Sequence, residues 1–424
     1  MHVIILTNAN LVDLDSPPQG MATITIVDER IESVDFGPEP NVPADATVID
    51  VAGRWVMPGM FNCHFHAAYP GLHSYGSLFQ RGLPPGMDAP PALQAIQAGR
   101  NLNLALQAGF TSVLSAGGPY NIDASLKIAV ESGVISGARL MPGSRVFCTT
   151  GHSQDNFFPW HWEPGVPPDV VTCDGPDEHR KGVRYEIKCG AEIIKVFATG
   201  GHGVPSKPER AGLTREEFAA ITDAAHQRGA KVRAHIAHKA GILLALDVGV
   251  DLIDHADGLD DECIDRIAEA GAFVTPSLLY VDRVTKSRQG PEIDIMRSDM
   301  ERMLEILPKA NAAGVKFLLG DDFGGSALEH GEYGDELDYY VNVAGLSAKE
   351  VLRWATRHGA EMMGRGDELG VISPGAVADL LVLDGDPIAD IRVLKDGQKI
   401  AAILKEGVFE KNEIALPSAG VSGS

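Results

Sequence analysis

The amino-acid sequence predicts an α/β protein: a distorted (β/α)8 TIM barrel with a small β-sandwich domain built from both chain ends. Three observations predict it. The chain has 424 residues, enough for one large barrel and a smaller module. Apolar, strand-like segments alternate with helical patterns through its middle, and strand-like segments recur at both ends. We therefore expect 1–58 and 375–414 to form the β-sandwich domain, 59–374 the barrel, and 415–424 a flexible tail.

The strand-like segments at the two ends are short and are separated by turn residues. In the first part they cover 3–6, 22–27, 30–36 and 47–51, and in the last part 378–384 and 400–408. We expect these segments to pair into one sheet domain.

The middle of the chain predicts eight barrel strands with helices between them. The predicted strands are 56–66, 111–115, 139–147, 192–198, 231–236, 252–255, 273–276 and 316–321. Helical periodicity is clearest over 214–228, where Thr214 and Glu217 resemble a capping box, and over 347–363.

Long loops are expected after the C-terminal ends of the predicted strands, at 67–91, 149–180, 200–212 and 277–295. In a barrel this is the face on which active sites are built.

The composition limits the classes of partner. Apolar residues are 44% and charged residues 22% of the chain, as in ordinary globular proteins. A formal net charge of −22 repels phosphate backbones and anionic lipids, so we expect neither nucleic-acid nor membrane binding. The start of the sequence has no basic or long apolar stretch, which predicts a cytoplasmic protein. The five cysteines include no C-x-x-C pair and are expected to be reduced. We expect a small-molecule substrate and a homo-oligomer.

The motif His64-Phe65-His66 ends the first predicted barrel strand. Residues i and i+2 of a strand point to one face, so both imidazoles can reach a single metal ion at the barrel mouth. A chance pair of strand histidines is the alternative interpretation.

Lys195 lies inside an otherwise apolar strand. A buried ammonium is costly unless it is paired or chemically altered. One interpretation is a snorkelling or salt-bridged lysine. The other is that carbon dioxide carboxylates Lys195, which turns a cation into a carbamate anion able to bridge two metal ions.

Three more predicted strands end in side chains that can bind metals. His235 and His255 close two of them, and Asp321-Asp322 follow the eighth. Five strand ends therefore offer His-x-His, Lys, His, His and Asp in that order, a combination that is hard to obtain by chance.

These motifs resemble the amidohydrolase superfamily, and within it the imidazolonepropionase-like and prolidase-like branch. The resemblance covers nearly the whole chain. It lies in 56–59 leading into 64–66, in 194–196 with 199–201, in 253–255, and in 375–387, which looks like the family's return strand.

The resemblance implies a binuclear metal centre. The implied ligands are His64, His66, Lys195, His235, His255 and Asp322. The His-x-His pair would hold the more buried ion, the two later histidines the second, and the lysine carbamate would bridge them. Asp322 would also hydrogen-bond the bridging hydroxide, whereas Asp321 stands at the family's threonine position. Two divalent ions are expected, zinc above all, because four histidines combine with carboxylate-type oxygens.

Substrate contacts are expected from the long loops. His152 resembles a family histidine that contacts the substrate carbonyl or carboxylate, and we count it with Asp322 as catalytic; an ordinary loop histidine is the alternative. The aromatic run 157–162 predicts an apolar pocket wall or a loop anchor. The substrate-binding candidates are His152, Trp160, His202 and Tyr280.

The expected reaction is hydrolysis of an amide-type C–N bond by a metal-bridging hydroxide. Two ions lower the pKa of the shared water and polarise the carbonyl, and Asp322 passes a proton to the leaving nitrogen. A mononuclear deaminase of the same superfamily is the nearest alternative, but it uses a glutamate where residues 236–239 are Ile, Ala, His and Lys. A non-catalytic scaffold is the other alternative, and the filled ligand positions argue against it.

The substrate stays open among several amide-type classes. Prolidase-like relatives carry a tyrosine two positions after the fifth-strand histidine, where this chain has Ala237. An X-Pro dipeptide, an N-acyl amino acid, an aryl amide, a carbamate or a urea all remain candidates.

Overall fold

The computed structural model describes residues 2–15, 20–37, 43–69, 89–156, 161, 169–204, 207, 209–325, 327–395 and 397–414. Its strands in chain order are β1 (Val3–Leu11), β2 (Met21–Val27), β3 (Arg30–Phe36), β4 (Thr47–Asp50), β5 (Trp55–Pro58), β6 (Met60–Phe65), β7 (Phe110–Ser115), β8 (Arg139–Met141), β9 (Gly143–Cys148), β10 (Val170–Thr172), β11 (Ile193–Phe197), β12 (Lys231–Ile236), β13 (Leu252–His255), β14 (Phe273–Thr275), β15 (Lys316–Phe317), β16 (Leu380–Leu383), β17 (Ile400–Lys405) and β18 (Val408–Asn412).

The α-helices are α1 (Pro91–Gln107), α2 (Ile122–Glu131), α3 (Pro176–Lys188), α4 (Arg215–His226), α5 (Lys239–Asp247), α6 (Asp261–Ala270), α7 (Leu278–Ser287), α8 (Pro291–Ala312), α9 (Gly334–Asn342), α10 (Ala348–Arg353) and α11 (Gly359–Met362). A π-helical turn, Trp354–His358, joins the last two. The predicted capping box is confirmed, because the Thr214 side chain accepts from Glu217 N and the Glu217 side chain accepts from Thr214 N. Within the described residues, no helix combines the length and apolar character needed to cross a membrane.

Strands from both chain ends form one sheet, as expected. Its order is β18-β17-β16-β5-β1-β2-β3, with β4 paired to β1. The strand β16 runs antiparallel to β5, so the last part of the chain returns to the first. Alternation along β16 sends Leu380 and Val382 into the core of this β domain and Leu381 and Leu383 into the core of the barrel. One strand therefore packs the two bodies against each other.

The barrel strands are parallel and lie in two sheets, β6-β7-β8 and β10-β9-β11-β12-β13-β14-β15. The strands β8 and β9 follow each other directly, with only Pro142 between them. At the other edge, Cys63 N donates to Leu319 O at 2.7 Å and His66 N donates to Phe323 O at 3.1 Å. These bonds join β6 to the chain that follows β15, so the strands surround a common core without forming one closed ladder among the described residues.

Several predicted element limits were wrong. The segment 56–66 is two strands, because the chain changes sheet at Gly59, where a Cβ would lie 2.2 Å from Thr111 Oγ1. The eighth strand ends at Phe317, and the 149–180 loop contains β10 and the start of α3. The predicted loop 277–295 is largely helical, since it contains α7 and the start of α8. All five cysteines are unpaired, as expected.

Candidate metal centre

His64 and His66 lie at the C-terminal end of β6 and face the same carboxylate. His64 Nε2 is 2.7 Å and His66 Nε2 3.4 Å from Asp322 Oδ1. On the far side of each ring, His66 Nδ1 lies 2.8 Å from the carbonyl oxygen of Gly117, and His64 Nδ1 lies 3.2 Å from Ser277 Oγ. A neutral His66 that donates from Nδ1 to this carbonyl leaves its Nε2 lone pair facing Asp322. The two imidazole rings thus face one carboxylate at the C-terminal end of β6.

His255 ends β13 and lies beside His64, with the ring centroids 5.2 Å apart. The preceding residue, Asp254, also faces His64, with Oδ1 3.7 Å from Nδ1. Successive side chains of a regular strand point to opposite faces. Here His255 has φ 76° and Ala256 has φ 55°, so the regular strand ends at His255. The side chains of Asp254 and His255 therefore both turn toward His64. The ring of His235, on β12, lies 4.5 Å from that of His255, and its Nε2 is 3.0 Å from the Gly201 carbonyl oxygen.

Lys195 is central in β11 and its side chain is buried. Its Nζ lies 2.5 Å from Asp254 Oδ2. The same carboxylate accepts from Arg233 through Nη2 at 2.6 Å and Nε at 3.1 Å, and from Thr275 Oγ1 at 3.1 Å. The Lys195 side chain is therefore paired with the carboxylate of Asp254 inside the barrel.

The two aspartates after β15 have different surroundings. Asp322, at φ 46°, reaches the β6 histidines. The carboxylate of Asp321 is turned to the start of α7, where it accepts from Leu279 N at 2.7 Å and Tyr280 N at 3.0 Å. Because residue 320 is a glycine, the segment after β15 can lie close against β6; a Cβ there would be 2.2 Å from His64 N. The geometry thus brings Asp322, and not Asp321, to the histidines.

Three substrate-binding candidates lie in described parts of the chain, and Trp160 lies outside them. His202 stacks on His255 with the ring centroids 3.7 Å apart, and its Nδ1 is 3.1 Å from Asp257 Oδ2. The ring of Tyr280 stacks on that of His202, with the ring centroids 5.7 Å apart. His152 is buried against Gly212, where a Cβ would lie 2.5 Å from its Cε1. Among the described residues, no hydrogen bond or ring contact joins His152 to the predicted metal ligands.

Burial sets the charge of the cluster. It lowers the pKa of His64 to about 4 and holds the pKa values of His235 and His255 well below the usual value. Burial alone would raise the pKa of Asp322, but His64 and His66 hold it well below its usual range. The cluster therefore combines neutral imidazoles with an ionised carboxylate, which are the forms that bind metal ions.

The ligand atoms of His64, His255 and Asp322 all lie within 4.8 Å of one another. His255 Nδ1 and His202 Nε2 are buried and have no hydrogen-bond partner within the described part of the chain. Nitrogen lone pairs that face a carboxylate oxygen repel it unless a cation lies between them. The donor set fits a divalent ion that prefers nitrogen and oxygen ligands, such as zinc.

Comparison with known proteins decides the family. A protein-family model described as "Amidohydrolase family" matches residues 55–409. The chain belongs to the amidohydrolase family. This amidohydrolase is accordingly a hydrolase that acts on amide-type carbon–nitrogen bonds, and the resemblance seen in its motifs is confirmed.

Three similar proteins illustrate the branch. Ochratoxinase from Aspergillus niger is 25% identical over 430 residues, which cover 96% of this chain and 87% of the relative. Imidazolonepropionase from Chromobacterium violaceum is 26% identical over 409 residues, which cover 89% and 90%. A prolidase crystallised with N-methylphosphonate-L-proline matches with a TM-score of 0.85 and 32% identity, over 97% of this chain and 100% of that one. The fold class, an α/β amidohydrolase barrel with a separate β domain, is also confirmed.

Sequence reasoning gave no role to two residues of the cluster, Asp254 and Arg233. Both side chains are fully buried. The available signal was the one used for Lys195: a charged residue inside an apolar strand, here in Lys231–Ile236 and Leu252–His255. Alternation along a regular strand would also place only one of Asp254 and His255 at the barrel mouth.

Proposed function

We propose that this amidohydrolase is a binuclear metal-dependent enzyme that cleaves a peptide, an N-acyl amino acid or a carbamate-like substrate. The observation that carries the proposal is the convergence of His64, His255 and Asp322 at the C-terminal ends of three barrel strands. Lys195 and His235 come from the two strands between β9 and β13, so further ligands are near.

In this proposal the His-x-His pair holds one ion, His235 and His255 hold the other, and Asp322 with the carbamate of Lys195 completes the set. Bound zinc supplies Lewis-acid polarisation of the scissile carbonyl and lowers the pKa of water. The carboxylate of Asp322 accepts the proton of the attacking water and delivers it to the leaving nitrogen. The carbonyl of Gly117 keeps His66 oriented by accepting from its Nδ1.

Carboxylation needs a neutral amine at Lys195. Burial lowers the pKa of Lys195, although the nearby Asp254 opposes this shift. The buried position therefore increases the fraction of amine that can react with carbon dioxide, compared with an exposed lysine.

A mononuclear centre is the second candidate, and the ion pair between Lys195 and Asp254 favours it. A lysine that stays an ammonium satisfies Asp254 and repels a metal ion. His64, His255 and Asp322 would then hold a single ion. Residues 236–239 still lack the glutamate expected of a deaminase, so the reaction would again be cleavage of an amide-type bond.

The substrate class is proposed from the similar proteins. The prolidase match was crystallised with N-methylphosphonate-L-proline. We propose small substrates with an amide bond to an amino acid, with His202 and Tyr280 on the substrate side of His255. His152, packed on the loop that ends at Gly212, would contact the substrate only if that loop borders the pocket.

The experiment counts metal ions and carbamate together. Protein purified with zinc is analysed by inductively coupled plasma mass spectrometry, and the carbamate is observed by carbon-13 NMR after incubation with labelled bicarbonate. We expect about two ions per chain and one carbamate signal. One ion without a carbamate supports the mononuclear candidate, and active protein without metal overturns both. A hydrolysis screen over X-Pro dipeptides, N-acyl amino acids and carbamates, with Asp322→Asn as the inactive control, identifies the substrate class.

A further inference from the structure

Lys195 and Arg233 are direct neighbours on adjacent strands and share one anion. They are paired in the register of β11 and β12. Both reach Asp254 on β13: Lys195 Nζ at 2.5 Å from Oδ2, and Arg233 with Nη2 at 2.6 Å from Oδ1. All three side chains are at most 2% exposed. An ammonium and a guanidinium thus compete for one buried carboxylate.

The charge balance changes when Lys195 is carboxylated. As an ammonium, Lys195 can neutralise Asp254 without help, and Arg233 is a surplus cation. As a carbamate, Lys195 carries a negative charge beside Asp254, and a second buried anion at this distance is strongly unfavourable. A guanidinium keeps its positive charge in proteins, so among the described residues Arg233 remains as the fixed cation in contact with Asp254.

We propose that Arg233 is the positioning residue for the metal-bridging lysine: by neutralising Asp254, it allows Lys195 to become and remain a carbamate. The inference rests on the proposed binuclear function. In the reaction, the Nζ lone pair of the neutral amine forms a bond to the carbon of carbon dioxide. One C=O electron pair moves to oxygen, and the nitrogen releases a proton to water. The carbamate nitrogen keeps one hydrogen, which can still donate to Asp254.

The hydrogen bonds of Arg233 support a fixed position rather than an adjustable one. Two of its nitrogens bind the two oxygens of Asp254, and Nη1 donates to the carbonyl oxygen of Ser115 at 2.8 Å. Thr275 Oγ1 donates to the same carboxylate from the opposite side, at 3.1 Å. Asp254 therefore stays paired in this position whether or not Lys195 contributes a charge.

Charge pairing predicts a specific pattern among three variants. Arg233→Met leaves Asp254 without its counter-ion, and we expect carbamate occupancy to fall at least about tenfold, with loss of the bridged metal. Arg233→Met combined with Asp254→Asn removes both charges, and we expect the carbamate and the metal content to return. Arg139→Met is the matched control, because Arg139 is a buried arginine with a two-nitrogen contact to Asp379. It should keep both.

The readouts are the carbon-13 carbamate signal and metal ions per chain, measured on the whole protein. Carbamate retained in Arg233→Met, or lost equally in Arg139→Met, overturns the proposal. If Arg233→Met does not fold, the double variant decides: a carbamate signal supports charge compensation, and its absence refutes it. A wild-type protein without any carbamate signal contradicts the proposed binuclear function instead, so the two failures are distinguishable.

Discussion

Exchanging Asp322 for asparagine tests which aspartate after β15 does the chemistry. Asp322 Oδ1 lies 2.7 Å from His64 Nε2 and 3.4 Å from His66 Nε2, so its carboxylate is placed among the predicted ligands. Asparagine keeps the shape and one oxygen but cannot accept a proton. We expect kcat to fall by roughly a hundredfold or more, because general acid–base catalysis contributes about that factor.

Asp321→Asn is the matched comparison, one residue away; the Asp321 side chain is fully buried, whereas the Asp322 side chain is 18% exposed. Its two carboxylate oxygens accept from Leu279 N and Tyr280 N at the start of α7. Asparagine offers one oxygen, so one backbone N–H loses its acceptor. The expected cost is about 1 kcal/mol of stability, with turnover changed by no more than a few-fold.

The assay measures kcat and KM for both variants on the best substrate of the hydrolysis screen, together with metal ions per chain and the midpoint of urea unfolding. Metal content separates a lost proton acceptor from a lost ligand. If Asp321→Asn abolishes turnover with the metals retained while Asp322→Asn stays active, the register after β15 is off by one and the reasoning is refuted.

Three further predictions address other parts of the centre. Lys195→Ala should lose one ion and most activity, and bicarbonate should help wild-type apoprotein to recover; two ions with normal turnover would contradict the carbamate. Gly320→Ala should lower the free energy of unfolding by about 3 kcal/mol or more in urea, because the added Cβ lies 2.2 Å from a backbone nitrogen. Gly314→Ala is the control, also at positive φ but with no neighbour within 4 Å, and should cost about 1 kcal/mol. His202→Ala should raise KM about tenfold with unchanged metal content. The control is His226→Ala, in which an exposed histidine also loses its pair with an aspartate, and it should leave KM unchanged. Equal KM values for the two variants would exclude a substrate contact at His202.

Much of the fold and the location of the centre followed from local sequence patterns. Strand-like and helical patterns recur every few tens of residues, so the alternation and the two-ended β domain were visible without tertiary information. The candidate ligand positions were visible because five of the eight predicted strands contained, or led directly into, a side chain that can bind metals. These signals are local, and the barrel brings all of the strand ends to one face.

The helix α7 could not be predicted in the same way. Its N-cap, Ser277, has φ 53° and makes no capping hydrogen bond with its side chain. The first N–H groups are satisfied instead by the carboxylate of Asp321, which comes from the end of β15. A helix whose start depends on a residue more than 40 positions away leaves no start signal in its own sequence.

Alternation of side chains along a strand is a reliable rule only where the strand is regular. The candidate metal ligands lie where the regular strands end. The rule would allow only one residue of each adjacent pair to face the barrel mouth, whereas Asp254 and His255 both face His64. The positive φ of His255, and the similar φ of Asp322, allow consecutive residues to reach positions that a regular strand denies them. Each such conformation costs about 1–3 kcal/mol and persists only where surrounding packing enforces it. At His255 that packing includes the stacked ring of His202, 3.7 Å away. If His202→Ala keeps its metal content, the end of β13 keeps its shape without the His202 ring. A raised KM in that variant then reports a lost substrate contact and not lost support of His255.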